Sequence, residues 1–285
     1  MRRRAATSLL FTLAAACSTP PPQHDQTLAL AWVRFAAEYD AACLQAYHTA
    51  TTALERALAD TGWSACLEQG PAEGTAHLPA AVVLDVDETV LDNSPYAARR
   101  LLAGKTFDSA SWAAWCRERS AAAIPGALAY TQRAAELGVR VVYVTNRRAD
   151  AAGDRPSTEE SDTRANLRQL GFPLDEADGF DCVLTAGEHG DKSARRRFVA
   201  ERFRVLQLVG DNLGDFADGV EPRKTQLAFD ALAEGAFIDR ERERLLAEHA
   251  DRWGERWILL PNPTYGSFEG VLKARYGTLR NALSF

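Results

Sequence analysis

The sequence predicts an α/β fold on a parallel sheet, and three observations carry that prediction. Five short apolar runs, at residues 81–84, 139–145, 182–185, 205–210 and 257–261, read as buried strands. Helical patterns separate them, and strands alternating with helices imply βαβ units with right-handed crossovers. The first four runs lead into polar residues: Asp85 and Asp87, Thr145, the loop before Lys192, and Asp211 with Asp215. In an open α/β sheet such ends share one edge, where ligands bind. At 285 residues the chain suits one domain with an inserted or appended subdomain.

Hydrophobic residues make up 46% of the chain and charged residues 25%, the balance of a globular domain with a substantial core. The net charge is −6, and it becomes −9 without the first sixteen residues, which carry three Arg and no acid. An acidic chain lacks the cationic face that nucleic-acid backbones need, so nucleic acid is excluded as a partner. A local field inside a cleft still admits small anions.

Residues 1–16 read as a targeting segment. Arg2 to Arg4 form a basic start, and residues 5–16 form a short apolar stretch ending in three alanines before Cys17. That stretch is too short to span a bilayer as a helix. A cysteine after small residues resembles a bacterial lipobox, with cleavage before Cys17 and lipid on its sulfur. Leu13 lies one place further from the cysteine than in the usual pattern, and plain secretory cleavage is the alternative. Ser18 after the cysteine resembles an outer-membrane sorting signal, and residues 17–26, with three prolines, read as a tether. Export permits disulfides among Cys43, Cys66, Cys116 and Cys182, in any of three pairings, and none has the CxxC spacing of a zinc site. Cys182 reads as a buried small hydrophobe.

From residue 27 the elements follow in order. Residues 27–60 place Leu28, Trp32, Phe35, Tyr39, Cys43, Tyr47, Leu54 and Leu58 at three- and four-residue steps, as one long helix with a core-facing stripe. Residues 68–78 form a loop to the first strand, and residues 96–123, with Phe107, Trp112 and Trp115, are helical. Pro125 opens the next helix, where its missing N–H costs nothing, and Gly138 follows that helix. Residues 149–161 are a polar loop, and residues 162–170 a helix closed by Gly171. Residues 194–203 form a basic helix on which Arg195, Arg196 and Arg197 read as a solvated face. A polar helical region then runs to about residue 252. The five histidines are scattered without ligand spacing, and only His189 falls near a site residue.

The segment from Ala80 to Asn93 organises the rest. An Asp-x-Asp pair alone also occurs as a helix cap or a solvated loop. Here an apolar strand precedes it and Thr89-Val-Leu-Asp-Asn93 follows it, which makes it far more specific. Alternate strand residues point the same way, so Asp85 and Asp87 can lie side by side. Adjacent carboxylates repel unless a cation or a shared proton holds them. A hard cation with oxygen ligands suits the site, and phosphoryl transfer needs such parts at one edge.

Asp85-x-Asp87-x-Thr89, Thr145, Lys192 and Asp211-Asn-Leu-Gly-Asp215 resemble, in order, the four motifs of the haloacid dehalogenase superfamily. More narrowly, residues 87–96, 123–126, 145–147, 210–213 and 261–267, with the helix around residues 32–47, resemble the class C bacterial acid phosphatases. The resemblance spans nearly all of the chain after the targeting segment. Gly214 departs from it, since a second acidic residue is expected there. It implies a Rossmann-like (HAD-like) parallel-sheet core with a helical cap, in one phosphatase domain over residues 27–285 with cap elements near 27–60 and 96–123.

It further implies an Mg²⁺-dependent, broad-specificity acid phosphatase with 5′-nucleotides among its substrates, anchored in the cell envelope by lipid. In that resemblance Asp85 is the nucleophile and Asp87 the general acid and base. Mg²⁺ is held by Asp85, the Asp87 carbonyl and Asp211, while Thr145 and Lys192 hold phosphoryl oxygens. Asp215 binds a metal water or pairs with Lys192. Asn146, Arg147, Tyr265, Trp112 and Trp115 are candidates for substrate contact, the aromatic ones by stacking on a base. Both Trp residues also suit plain cap packing. A phosphotransferase, a sugar-phosphate phosphatase and a non-catalytic binding lipoprotein are the alternatives, and a homo-oligomer is left open.

Overall fold

The computed structural model describes residues 26–70, 72–150, 158–186, 191–221 and 228–284. The expected targeting segment, Cys17, most of the expected tether and His189 lie outside the described residues. The sheet has strands β1 (Ala80–Leu84), β4 (Arg140–Arg148), β5 (Val183–Ala186), β6 (Arg204–Gly210) and β7 (Trp257–Leu259). Its order is β5-β4-β1-β6-β7, and every neighbouring pair runs parallel. All five apolar runs are strands of this sheet, and β1 lies at its centre. Two antiparallel two-residue strands, β2 (Leu91–Asp92) and β3 (Ala122–Ala123), pair separately.

Both faces of the sheet are covered, which is why its strands lack polar alternation. Val82 and Leu84 of β1 join one core cluster, while Ala81 and Val83 join the other. Helices α1 (Thr27–Phe35), α2 (Ala37–Ala59) and α6 (Ala127–Glu136) cover the first face. Leu54, Leu84, Leu91 and Leu206 are fully buried there, each worth about 1.5–3 kcal/mol by apolar transfer. Gln207 is buried in β6 and fully satisfied: Tyr130 Oη donates to its oxygen at 2.6 Å, and its amide donates to the Ala50 and Glu255 carbonyls. Ala65, Val199, Phe203, Phe216 and Trp257 lie in the cluster on the other face, where α8 (Ser193–Ala200) and α9 (Ala228–Glu248) contribute Val199 and Leu245.

Several expected boundaries move. The helix expected over residues 27–60 breaks at Ala36, which is extended at φ −86° and ψ 125°. Buried residues continue at helical spacing on both sides, so periodicity does not reveal the turn. A short helix, α3 (Ala72–Thr75), lies in the expected loop before β1. Residues 96–123 divide into α4 (Ser94–Leu102), α5 (Ser109–Glu118) and β3. Helix α7 (Glu159–Leu170) starts earlier than expected, and α10 (Ser267–Tyr276) and α11 (Leu279–Ala282) follow β7 where no element was assigned. All four described cysteines are buried and free, so none forms a bridge. Among the described residues, no helix is long and apolar enough to cross a membrane.

Candidate active site

The site forms where β1, β4 and β6 end. After β1 the Asp85 amide still donates to the Val209 carbonyl at 2.9 Å, so Asp85 is held by the sheet. The chain then turns sharply, with Val90 and Leu91 amides both donating to the Val86 carbonyl. Glu88 at the tip has φ +57°, a left-handed conformation that costs a non-glycine residue about 1 kcal/mol or more. The surroundings over-determine it. Its carboxylate accepts from the Asn93 amide at 2.9 Å and from the Tyr265 hydroxyl, and its own amide donates to Leu91.

The turn sends the two aspartates to different partners. Asp85, buried, accepts from the Lys192 ammonium, which also donates to Asp215 Oδ1 at 2.7 Å. Asp85, Asp211 and Asp215 each offer a carboxylate oxygen within 4.8 Å of the others, an all-oxygen set that fits a hard divalent metal. Burial raises the Asp85 pKa to about 7 against the pull of Lys192. Burial and the neighbouring Asp85 and Asp215 push Asp211 up as well. Burial alone would lower Lys192, but Asp215 and Asp85 carry it above its ordinary value. A divalent cation would relieve the carboxylate repulsion that these shifts record.

Asp87 faces the other side. Its carboxylate accepts from Arg147 Nη2 at 2.8 Å, Arg147 Nε at 3.0 Å, Asn93 Nδ2 at 2.8 Å and Thr145 Oγ1 at 3.2 Å. Its side chain therefore stands outside the three-carboxylate group. Arg147 is buried and also donates to Thr163 Oγ1 and Asn93 Oδ1, while its guanidinium rests 5.3 Å from the Trp112 ring. Every face of this expected substrate contact is taken by protein. Trp115 is 3% exposed, donates to Asn93 Oδ1 at 2.8 Å and lies under the Arg99 guanidinium, so its ring is packed rather than open. Trp112 packs on Tyr96 and Phe107. Tyr265 is 41% exposed with its hydroxyl on Glu88, and exposed Asn146 accepts from Arg195 Nη2 at 2.8 Å.

The metal-side loop is built with equal care. Asp215 Oδ2 accepts from the Asn212 amide at 3.0 Å in a capping box, and Asp211 accepts from Asn262 Nδ2 at 2.7 Å. Gly210 leaves room for the Asp215 side chain here, which a Cβ would overlap. The basic helix corrects the expectation of a solvated arginine face. Arg196 is 1% exposed, paired with Glu68 and Asp218, and donates to the Gly214 carbonyl at 2.8 Å and the Asp215 carbonyl at 3.3 Å. Arg195 donates to the Thr145 carbonyl at 2.5 Å. Residue order alone could not separate these two from Arg197, since only α8's orientation aims them at the site. Glu88, Asn93, Arg195, Arg196 and Asn262 were not assigned to the site from sequence; Glu88 and Asn93 had a signal in the Asp-x-Asp stretch and Asn262 one in the 261–267 motif, while the two arginines had none.

A parallel sheet that brings carboxylates after β1 and β6 together with Thr145 of β4 and Lys192 at the start of α8 defines an α/β protein of the haloacid dehalogenase kind. The chain belongs to HAD superfamily, subfamily IIIB (acid phosphatase), whose family model matches residues 11–268. It is similar to the class C acid phosphatase from Bacillus anthracis, at 29% identity and TM-score 0.68, covering 87% of this chain and 88% of that one. The same class of enzyme from that organism with tungstate bound aligns at 27% identity and TM-score 0.67, covering 88% and 89%. Among curated relatives, Acid phosphatase 1 of Solanum lycopersicum is 28% identical over 47% of this chain and 50% of its own length. The Stem 31 kDa glycoprotein of Glycine max is 25% identical over 50% and 54%. The chain thus spans about half the length of the curated relatives it matches.

Proposed function

We propose that this chain is an Mg²⁺-dependent acid phosphatase that hydrolyses phosphomonoesters through an aspartyl phosphate on Asp85, with 5′-nucleotides among its substrates. The observation that carries it is the division of labour between the two aspartates: Asp85 lies against Lys192 and the Asp211–Asp215 loop, and Asp87 is clamped by Arg147, Asn93 and Thr145. An Asp85 oxygen attacks phosphorus while the ester oxygen leaves, taking its proton from Asp87. Asp87 then removes a proton from the water that attacks the aspartyl phosphate, which restores Asp85 and releases phosphate. Lys192 and the Thr145 hydroxyl hold phosphoryl oxygens, with Thr145 turning from Asp87 to the substrate. Asp85 and Asp211, with the Asp87 carbonyl as the resemblance implies and Asp215 beside them, would hold Mg²⁺, which would supply charge neutralisation when bound.

Of the three candidate rings Tyr265 is the most exposed and suits stacking on a base, while Trp112 is packed on Tyr96 and Phe107 and lies against Arg147. The covered faces of Trp115 suit it to holding Asn93 instead. The basic start and the lipobox-like residues before Cys17 support a location in the cell envelope, as an outer-membrane lipoprotein or, with plain cleavage, in the periplasm. The decisive experiment is phosphate release from a panel of 5′-nucleotides and an aryl phosphate, with Mg²⁺ or EDTA, for wild type and Asp85→Asn. Metal-dependent turnover lost in Asp85→Asn supports the mechanism, and an inert wild type or an active variant sinks it. Adding an alcohol acceptor separates hydrolysis from phosphotransfer.

A further inference from the structure

We propose that Glu221 is a positioning residue for the 211–215 loop, reaching into the space that a side chain at Gly214 would fill. The inference rests on the reading of Asp85, Asp211 and Asp215 as a divalent-metal site. Gly214 does not adopt a positive φ, so its backbone is open to any residue. What lies there is the tip of another side chain: a Cβ at 214 would lie 2.5 Å from Glu221 Oε1 and 2.6 Å from its Cδ, so a side chain at 214 would displace the Glu221 carboxylate. A carboxylate from outside the loop therefore stands where residue 214 would place its own.

That carboxylate is wired to the loop. Glu221 Oε1 accepts from Asn212 Nδ2 at 2.8 Å, and the Asn212 amide donates to Asp215 Oδ2 at 3.0 Å. The other end of the Asn212 side chain is held by Ser267 Oγ, which accepts from Arg242 Nη1 at 2.7 Å. Arg242 also donates to the Val220 carbonyl at 2.9 Å, next to Glu221. Asn212 is thus fixed at both amide atoms, and through it the Asp215 carboxylate is aimed. Glu221 is exposed at the surface, and the partial desolvation of its carboxylate raises its pKa most, with Asp215 adding to the rise and Lys192 opposing it, so both charges of the site lie within its electrostatic reach. Direct partners of metal ligands commonly change metal affinity or activity by roughly tenfold to a hundredfold when mutated, and Glu221 acts one contact further out, through Asn212.

The test is Mg²⁺ titration of the full chain by calorimetry, alongside melting temperatures in EDTA, for wild type, Asp211→Asn, Glu221→Gln, Glu221→Ala and the double variant Glu221→Ala with Gly214→Asp. Glu221→Gln keeps the shape and the bond to Asn212, so it is expected to melt like wild type in EDTA yet bind Mg²⁺ several-fold more weakly. Glu221→Ala is expected to lose up to roughly tenfold, more than Glu221→Gln. Returning a carboxylate at 214 to the vacated space is expected to recover most of that loss. If wild type shows no Mg²⁺ binding that Asp211→Asn removes, the metal reading itself fails. If wild type binds and both single Glu221 variants bind equally well, or lose affinity only in step with their EDTA melting temperature, Glu221 is merely structural and the inference is overturned. A folded double variant that stays as weak as Glu221→Ala overturns the exchange of space.

Discussion

Arg147 Nη2 lies 2.8 Å from Asp87 Oδ1, and the same guanidinium rests over the Trp112 ring at 5.3 Å. The pair ties the proposed acid–base residue to the aromatic cluster of α5. An arginine fork fixes a carboxylate in two directions, which a lysine ammonium does not.

Arg147→Lys is therefore expected to lower kcat by about a hundredfold, the scale of a misplaced catalytic group, with a smaller change in KM. Trp112→Leu should give a milder loss in the same direction, through the unsupported guanidinium. Steady-state kinetics on an aryl phosphate, which has no base to stack, would check both. A pure KM effect in Arg147→Lys would instead make Arg147 a substrate contact.

Arg196 is the most deeply buried charge on α8, held between Glu68 and Asp218 and bonded to the loop carbonyls of Gly214 and Asp215. Removing one partner of a buried pair leaves the other charge stranded, at a cost of about 3–5 kcal/mol. Arg196→Met is expected to melt about 10 °C lower, at roughly 2–4 °C per kcal/mol for a domain of this size. Arg197→Met is the control and should melt like wild type. Equal melting of both variants counts against the buried clamp.

Gly210→Ala tests the close approach of β6 to Asp215. The added methyl overlaps the Asp215 side chain down to its Cβ, so the loop backbone must shift rather than a flexible tip. Overpacking of this kind costs about 1–3 kcal/mol. The variant is expected to fold with reduced stability and to lose most Mg²⁺ affinity, measured by titration. Wild-type affinity in a folded Gly210→Ala protein would show that Asp215 is not needed there.

Metal-free stability should fall as pH rises. Burial lifts Asp85 from 3.8 to about 7, and lifts Asp211 and Glu88 above their ordinary values. Over that window the folded chain holds protons that the unfolded chain has released, so the stabilising contribution is complete below the unfolded values and lost as pH climbs through the folded ones. Melting in EDTA is expected to be lower at about pH 8 than at about pH 5, with a flatter profile in Asp211→Asn and with added Mg²⁺. An identical slope in wild type and Asp211→Asn would remove Asp211 from the account.

Much of this protein was legible without its fold. The five apolar runs are the five strands of the parallel sheet, because a strand buried on both faces must be apolar throughout. Asp85, Lys192, Asp211 and Asp215 converge as their places after strands implied, since βαβ topology sends those strand ends to one edge. The family likewise follows from the motifs and is matched over residues 11–268.

Tertiary structure alone decided how each polar side chain is spent. Arg195, Arg196 and Arg197 are consecutive and chemically identical, yet the rotation of α8 sends one to the Thr145 carbonyl and another into a buried clamp. Trp112 and Trp115 share a helix, but one supports Arg147 and the other is sealed against Asn93. The break at Ala36 and the reach of Glu221 toward Gly214 are equally invisible in the sequence order. Periodicity and motif spacing report which residues face the core and which end a strand. Direction, distance and partner depend on how elements far apart in sequence pack together, and only the folded chain sets those.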